Sequence, residues 1–326
     1  MTVLLAATGS AVAVLEGEGP SWRASAGLHE SGAQCVAVDP ASPSVAFAGC
    51  RGNGLFRTAD GGRTWEDCGL PARDVFSVAV SPADGMVYAG CEPSSIFASA
   101  DGKSGWVELE ALRQIPSAPT WSFPPRPWTS HVRWIAPSPH EPELLLAGIE
   151  LGGVMRSDDR GRTWEDHRPG AQPDVHQLAW HPTERGRAYE AGGGGAAWSF
   201  DAGSSWQAAD AGRDRHYTWA LAVDESDPDR WYLSAAPGPF YAHGDRNAEA
   251  VLYRWQEGRF EPVRGALAGP LPVMPYALAV ANGNLYAGLR DGRLWESADG
   301  GDTWLEIGIE GDAPTRLSAF VLVPDA

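Results

Sequence analysis

Positive charge is scarce in this 326-residue chain: 25 Lys+Arg stand against 42 Asp+Glu, a formal net charge of −17. Tracking a phosphate backbone or an anionic lipid surface needs cationic contacts that such a balance hardly provides, so neither nucleic acid nor membrane is expected as a partner. No run of about 18 apolar residues occurs, which excludes a helical membrane span. The apolar start, residues 1–15, has no Lys or Arg ahead of it and reads as strand rather than secretory signal; a cytoplasmic location is expected. CxxC pairs are also missing. Cys35, Cys50, Cys68 and Cys91 fall in the first third of the chain without metal-ligand spacing, and are expected as buried reduced thiols.

What the chain does hold is turn formers and tryptophan. The 39 Gly and 26 Pro sit between short apolar runs, the pattern of many tight turns joining many short strands. With 43% apolar residues, a large core is available and disorder is not expected. Length alone would suggest two domains, but an internal repeat decides otherwise. Thr58-Ala59-Asp60-Gly61-Gly62-Arg63-Thr64-Trp65 recurs as Ser157-Asp158-Asp159-Arg160-Gly161-Arg162-Thr163-Trp164. Further copies are Ser199-Phe200-Asp201-Ala202-Gly203-Ser204-Ser205-Trp206 and Ser297-Ala298-Asp299-Gly300-Gly301-Asp302-Thr303-Trp304, with a worn copy from Ser99 to Trp106. In each, the Asp side chain is suited to accept backbone N–H groups across a turn, Gly supplies positive φ, and Trp packs between sheets. These aspartates are read as turn formers, not catalytic acids.

Each repeat carries four strand signals over roughly 40–50 residues, the size of one propeller blade. Decayed units around Tyr253-Arg254-Trp255 and at residues 4–22 bring the count to seven. The first unit lacks its opening strand, and the segment from Leu317 to Pro324 resembles that missing strand. The expectation is an all-β, single seven-bladed propeller domain over 1–326, closed by the C-terminal strand pairing into blade one.

These turns are the Asp-box motif (S/T-x-D-x-G-x-S/T-W), and the chain resembles the bacterial neuraminidase repeat (Asp-box) superfamily of propellers. That superfamily includes sialidases, xyloglucan-active glycosidases, sortilin-like receptors and a photosystem assembly factor. The rhythm Gly54-Leu55-Phe56-Arg57-Thr58-Ala59-Asp60-Gly61-Gly62 is closer to the last three. The resemblance implies the fold and leaves function open, because the superfamily contains both enzymes and scaffolds. Sialidases carry six blades, an arginine triad and an Arg-Ile-Pro signature; here Arg113-Gln114-Ile115-Pro116 breaks that signature. Arg133, Arg290 and Arg316 are nevertheless candidates to converge, with Tyr276 facing them.

Aligning the innermost strands gives an alanine-rich level, Ala37, Ala79, Ala136, Ala179, Ala222 and Ala279, assigned to the crowded axis. Nearer the strand starts, one level holds Gln34, Phe76, Arg133, His176, Trp219, Tyr276 and Ser318. Two residues earlier lie Gly32, Asp74, His131, Asp174, Tyr217, Met274 and Arg316. So much His, Arg, Tyr and Trp at matching positions suits a funnel-shaped ligand pocket. Two long segments, 114–130 with Phe123 and Trp128 and 235–249 with His243, are expected as its walls. Glu150 and Arg290 lie at turns after second strands, and Gly192-Gly193-Gly194-Gly195 occupies the same turn in blade five, read as space for a ligand or a neighbouring loop.

The first functional reading is a glycosidase-like hydrolase or lyase acting on a polar small molecule or carbohydrate. Asp74, Asp174 and Glu150 supply carboxylates, His131 and His176 carry protons, and Tyr276 is nucleophile or general acid. Arg133, Arg316, Arg290 and His243 contact substrate, while Tyr217, Trp219 and Trp128 stack on it. No cofactor is needed for that reading. A second reading is a non-catalytic binding or assembly platform for a protein partner. The third is a metal-dependent lyase or oxygenase, a divalent cation being held by Asp74, His131, Asp174 and His176.

Overall fold

The structure is a computed structural model and describes residues 1–123 and 129–324; Trp128 lies outside them. Short antiparallel strands make up the sheets, and the expected all-β propeller is what forms. Four-stranded meanders begin at Ala33–Val38, Asp74–Val80, Val175–Trp180, Tyr217–Val223 and Pro275–Ala281, and a three-stranded one at Val132–Pro137. The seventh is composite. Ala319–Leu322 pairs antiparallel with Thr2–Ala7, which continues into Val12–Glu18 and Ser21–Gly27. The chain's end thus supplies the inner strand that its start lacks. A second seam closes the ring at the rim, where Leu305–Gly311 pairs in parallel with Ser21–Gly27 and fuses two meanders into one eight-stranded sheet. The seven inner strands touch one another in cyclic order around a central axis.

The repeated turn forms as its residue types require. Gly62 donates its backbone N–H to Thr58 Oγ1 at 2.9 Å, and Thr64 donates from N and Oγ1 to the two Asp60 carboxylate oxygens at 2.9 and 2.7 Å. The Trp65 indole N–H closes on Gly62 O at 3.1 Å. The same bonds recur around Asp159 and Asp299. Gly62 adopts φ +92°, and a Cβ there would meet Val14 Cγ2 at 2.7 Å, so glycine is required on both counts. The tryptophans enter the interblade cores: Trp65 packs on the cluster around Leu5 and Val12, Trp304 on that around Tyr232 and Leu252.

Inner strands carry one further regularity. In six of them the register slips at the same height, leaving Gln34, Phe76, Arg133, His176, Trp219 and Tyr276 on bulges without a strand partner. Carbonyls freed beside three of the bulges are taken by the preceding blade. Gln34 Nε2 donates to Val75 O at 2.8 Å, Ser77 Oγ to Val132 O at 2.9 Å, and His176 Nδ1 to Thr218 O at 2.6 Å. Ala37, Ala136 and Ala222, assigned above to the axis, instead pack in clusters between blades. All four cysteines are buried free thiols, and burial pushes Cys68 up to about 12. Among the described residues no helix is long and apolar enough to cross a membrane.

Candidate functional site

Register places the two ends of the propeller apart. Thr58, which opens an Asp turn, pairs opposite Ala46 beside Val38, whereas Ala33, Cys50 and Gly54 lie at the other end of the same strands. The bulges belong to that second end. There the seven residues Gln34, Phe76, Arg133, His176, Trp219, Tyr276 and Ser318 surround one narrow cavity of about 90 Å³. Above it a wider chamber of about 400 Å³ adds Arg51, Glu92, Phe123, His131, Glu150, His243 and Arg316. Together they make the expected funnel.

One wall is aromatic and cationic. Trp219 stacks on Tyr276 with ring centroids 5.3 Å apart and meets His176 at 4.6 Å with the ring planes tilted by 45°, while the Arg133 guanidinium sits 4.6 Å from the Trp219 ring centroid. His243 bridges two tyrosines, at 2.7 Å to Tyr276 Oη through Nδ1 and 3.0 Å to Tyr217 Oη through Nε2. Much of its ring surface is exposed, but both nitrogens are occupied. Loss of water around them, with the nearby positive charges of Arg133 and Arg290, draws its pKa down, so the imidazole is neutral. Burial raises the pKa of Tyr276, which keeps its proton.

Adjoining it is a group of acids and imidazoles. His131, 2% exposed, lies 2.6 Å from Glu150 through Nε2 and stacks on Phe76 at 3.9 Å. Burial works to raise the pKa of Glu150. The His131 hydrogen bond and the Arg133 charge outweigh it and hold the carboxyl at about 2. An ionised Glu150 only accepts, so His131 Nε2 carries the donated proton and Nδ1 is left buried without a hydrogen-bond partner. His176 is the mirror case: Nδ1 donates to a carbonyl, which leaves Nε2 buried and unpartnered, 3.6 Å from Asp174 Oδ2.

His131, His176, Tyr276, Glu150, Arg133, Trp219, Arg316 and His243 therefore line one opening. Others do not. Asp74 spends Oδ1 on the Gly52 amide at 2.9 Å, tying blade three to a turn of blade two, and is absent from the lining. Arg290 is held away by Asp245 Oδ1 at 2.7 Å and Gly244 O at 2.9 Å. Tyr217 is buried behind Trp219 and His176. The metal set of Asp74, His131, Asp174 and His176 is accordingly not assembled; among the described residues the cluster of potential ligands is Glu150, Asp174 and His176. The four glycines leave no ligand space either. A Cβ on Gly193 would lie 1.9 Å from Asp174 Oδ2 and one on Gly194 2.7 Å from Gln172 Oε1, so the run makes room for the chain's own side chains. Arg51 and Glu92 went unforeseen. Arg51 directly follows a second strand and Glu92 ends one, the position equivalent to Glu150 and Arg290, so aligning that position across every blade would have found them.

No family model matches the chain, and no curated protein matches it. Among solved structures it is similar to the GH74 xyloglucanase from Xanthomonas campestris, with TM-score 0.64, 20% identity, and 89% of this chain covering 46% of that one. It is also similar to YCF48 bound to D1 peptide (TM-score 0.55, 17% identity, 83% of this chain, 79% of that one). The RRP9 WD40 repeats give TM-score 0.60 at 14% identity, covering 97% of this chain and 88% of theirs. At such identities the likeness establishes the β-propeller fold and nothing more. The chain spans less than half the length of the xyloglucanase.

Proposed function

We propose that residues 1–326 are one Asp-box propeller domain whose funnel binds a polar small molecule of the carbohydrate class and carries out proton transfer on it, as a hydrolase or lyase. The observation that supports this is the meeting of an aromatic, cationic face and two imidazoles at one opening. The Arg133–Trp219–Tyr276 stack offers a face for a sugar ring with charge beside it, and next to it stand His131 and His176, each with one buried nitrogen free. The tautomers fixed by Glu150 and by Thr218 O leave those nitrogens as bases. Glu150 orients His131 and stays ionised, so it is no general acid.

Glycoside cleavage by two carboxylates needs them on opposite sides of the scissile bond, about 5–9.5 Å apart. Glu150 and Asp174 instead share one wall, their oxygens within 4.8 Å. Proton abstraction by an imidazole suits this arrangement better and favours the lyase form. The test is a panel of neutral and acidic oligosaccharides followed by tryptophan fluorescence and turnover. A binder should lose about tenfold in affinity in Trp219→Ala with an unchanged melting temperature. Unaltered affinity in that variant would reject the funnel as the site.

The platform reading keeps one observation of its own. Phe240 is 92% exposed, on the short helix Pro239–Ala242 just ahead of His243, and YCF48, similar in fold, is described bound to a peptide. A peptide that binds with the same Trp219 dependence, while no saccharide does, would select it.

A further inference from the structure

We infer that Glu150, Asp174 and His176 form a site for one first-row divalent cation at the wall of the funnel. The inference is independent of which organic ligand the funnel takes.

It starts from an electrostatic conflict. His176 is 1% exposed, and its Nδ1 donates to Thr218 O at 2.6 Å. In the neutral ring Nε2 is then a lone pair, and it is aimed at Asp174 Oδ2 only 3.6 Å away, with Glu150 in the same cluster. Acceptors facing acceptors in a buried place repel unless something positive lies among them. A proton on Nε2 resolves this poorly: 3.6 Å is too long for a hydrogen bond, and Asp174 Oδ1 and His176 Nε2 both lack any hydrogen-bond partner. A cation with bonds of about 2.1 Å sets neighbouring ligand atoms about 3.4 Å apart in tetrahedral geometry, close to the observed His–Asp spacing.

Charge and donor type agree. The two carboxylates contribute −2, partly offset by Arg133 Nε at 3.7 Å from Glu150 Oε2, so a divalent ion is drawn in without excess. One imidazole and two carboxylates suit Zn²⁺ or Mn²⁺ and do not select a soft ion. His131, bonded to Glu150 at 2.6 Å, stands as the outer partner that orients a ligating carboxylate. His176 and Glu150 both line the funnel, and Asp174 lies behind them outside its lining. The glycine at 193 is part of the site's construction: only a residue without Cβ leaves the Asp174 carboxylate where it is.

The experiment is calorimetric titration of the EDTA-dialysed full chain with ZnCl₂, and Mn²⁺ binding followed by loss of the free-ion EPR signal, both without saccharide. One equivalent of each should bind, Zn²⁺ more tightly. Asp174→Asn and Gly193→Ala should each weaken Zn²⁺ by about tenfold or more. Gly193 does not need positive φ, so its alanine variant should fold, with a metal-free melting temperature near wild type. Glu225→Gln, at the opposite mouth of the axial channel, should bind as wild type does. Binding only in the millimolar range, or equal affinity in the Asp174 and Gly193 variants, overturns the site. Loss of saccharide binding with Zn²⁺ binding intact would count against the proposed function alone.

Discussion

The two ends of the propeller use the same carboxylates to opposite purpose. At the turn end Asp60, Asp159, Asp201 and Asp299 are bonded on both oxygens by hydroxyls and backbone amides of their own turn. Donation from the Thr64 hydroxyl and amide, with Thr58, holds Asp60 at about 2. At the funnel end Asp174 keeps a buried oxygen without a partner, and two imidazoles present unpartnered nitrogens. Satisfied acids build; unsatisfied ones are left for something else to satisfy.

Glu190 puts the sharpest strain on that contrast, because it is fully buried on a blade's second strand with only the Gln172 amide donating to it, at 3.0 and 3.1 Å. Burial raises its pKa from 4.5 to about 8. A folded-state value above the unfolded one means the folded chain holds the proton longer. The contribution of Glu190 to stability is therefore fullest below pH 4.5, falls as pH rises toward 8, and levels off beyond it. The loss is about 3–5 kcal/mol, and Glu190→Gln should abolish that slope in denaturant titrations run across the range. A slope unchanged by the substitution would mean Glu190 is ionised in the fold.

Smaller effects separate the two ends directly. Asp159→Ala removes acceptors at the turn end and should lower the melting temperature by about 2–4 °C without altering ligand affinity. A change in affinity instead would erase the division of labour. Least affected should be Asp74→Asn, whose amide oxygen still accepts from Gly52; neither ligand binding nor stability should shift measurably. A clear loss of turnover in that variant would restore Asp74 to the site.

Legibility in the sequence followed the reach of each signal. The Asp turns are local, eight residues long and repeated, so blade order and the role of Ala319–Leu322 could be read from them. The parallel seam of Leu305–Gly311 on Ser21–Gly27 joins residues nearly the whole chain apart and has no local pattern to betray it. Strand alternation correctly brought Arg133, His176, Trp219 and Tyr276 to one level. It failed two residues outward, at Asp74 and Tyr217, while small size rather than alternation pointed Ala37 to the axis, and that reading failed too. The bulges lie between Asp74 or Tyr217 and the level below, and the Asp74 carboxylate follows its own hydrogen bond to Gly52.

A crystal structure soaked with the tightest-binding saccharide or peptide of the panel tests the central claim most directly. The account predicts density resting on Trp219 and reached by Arg133 and Tyr276, with His131 and His176 facing it. Density at the Asp-turn end, or a funnel plugged by the chain's own residues, would contradict it.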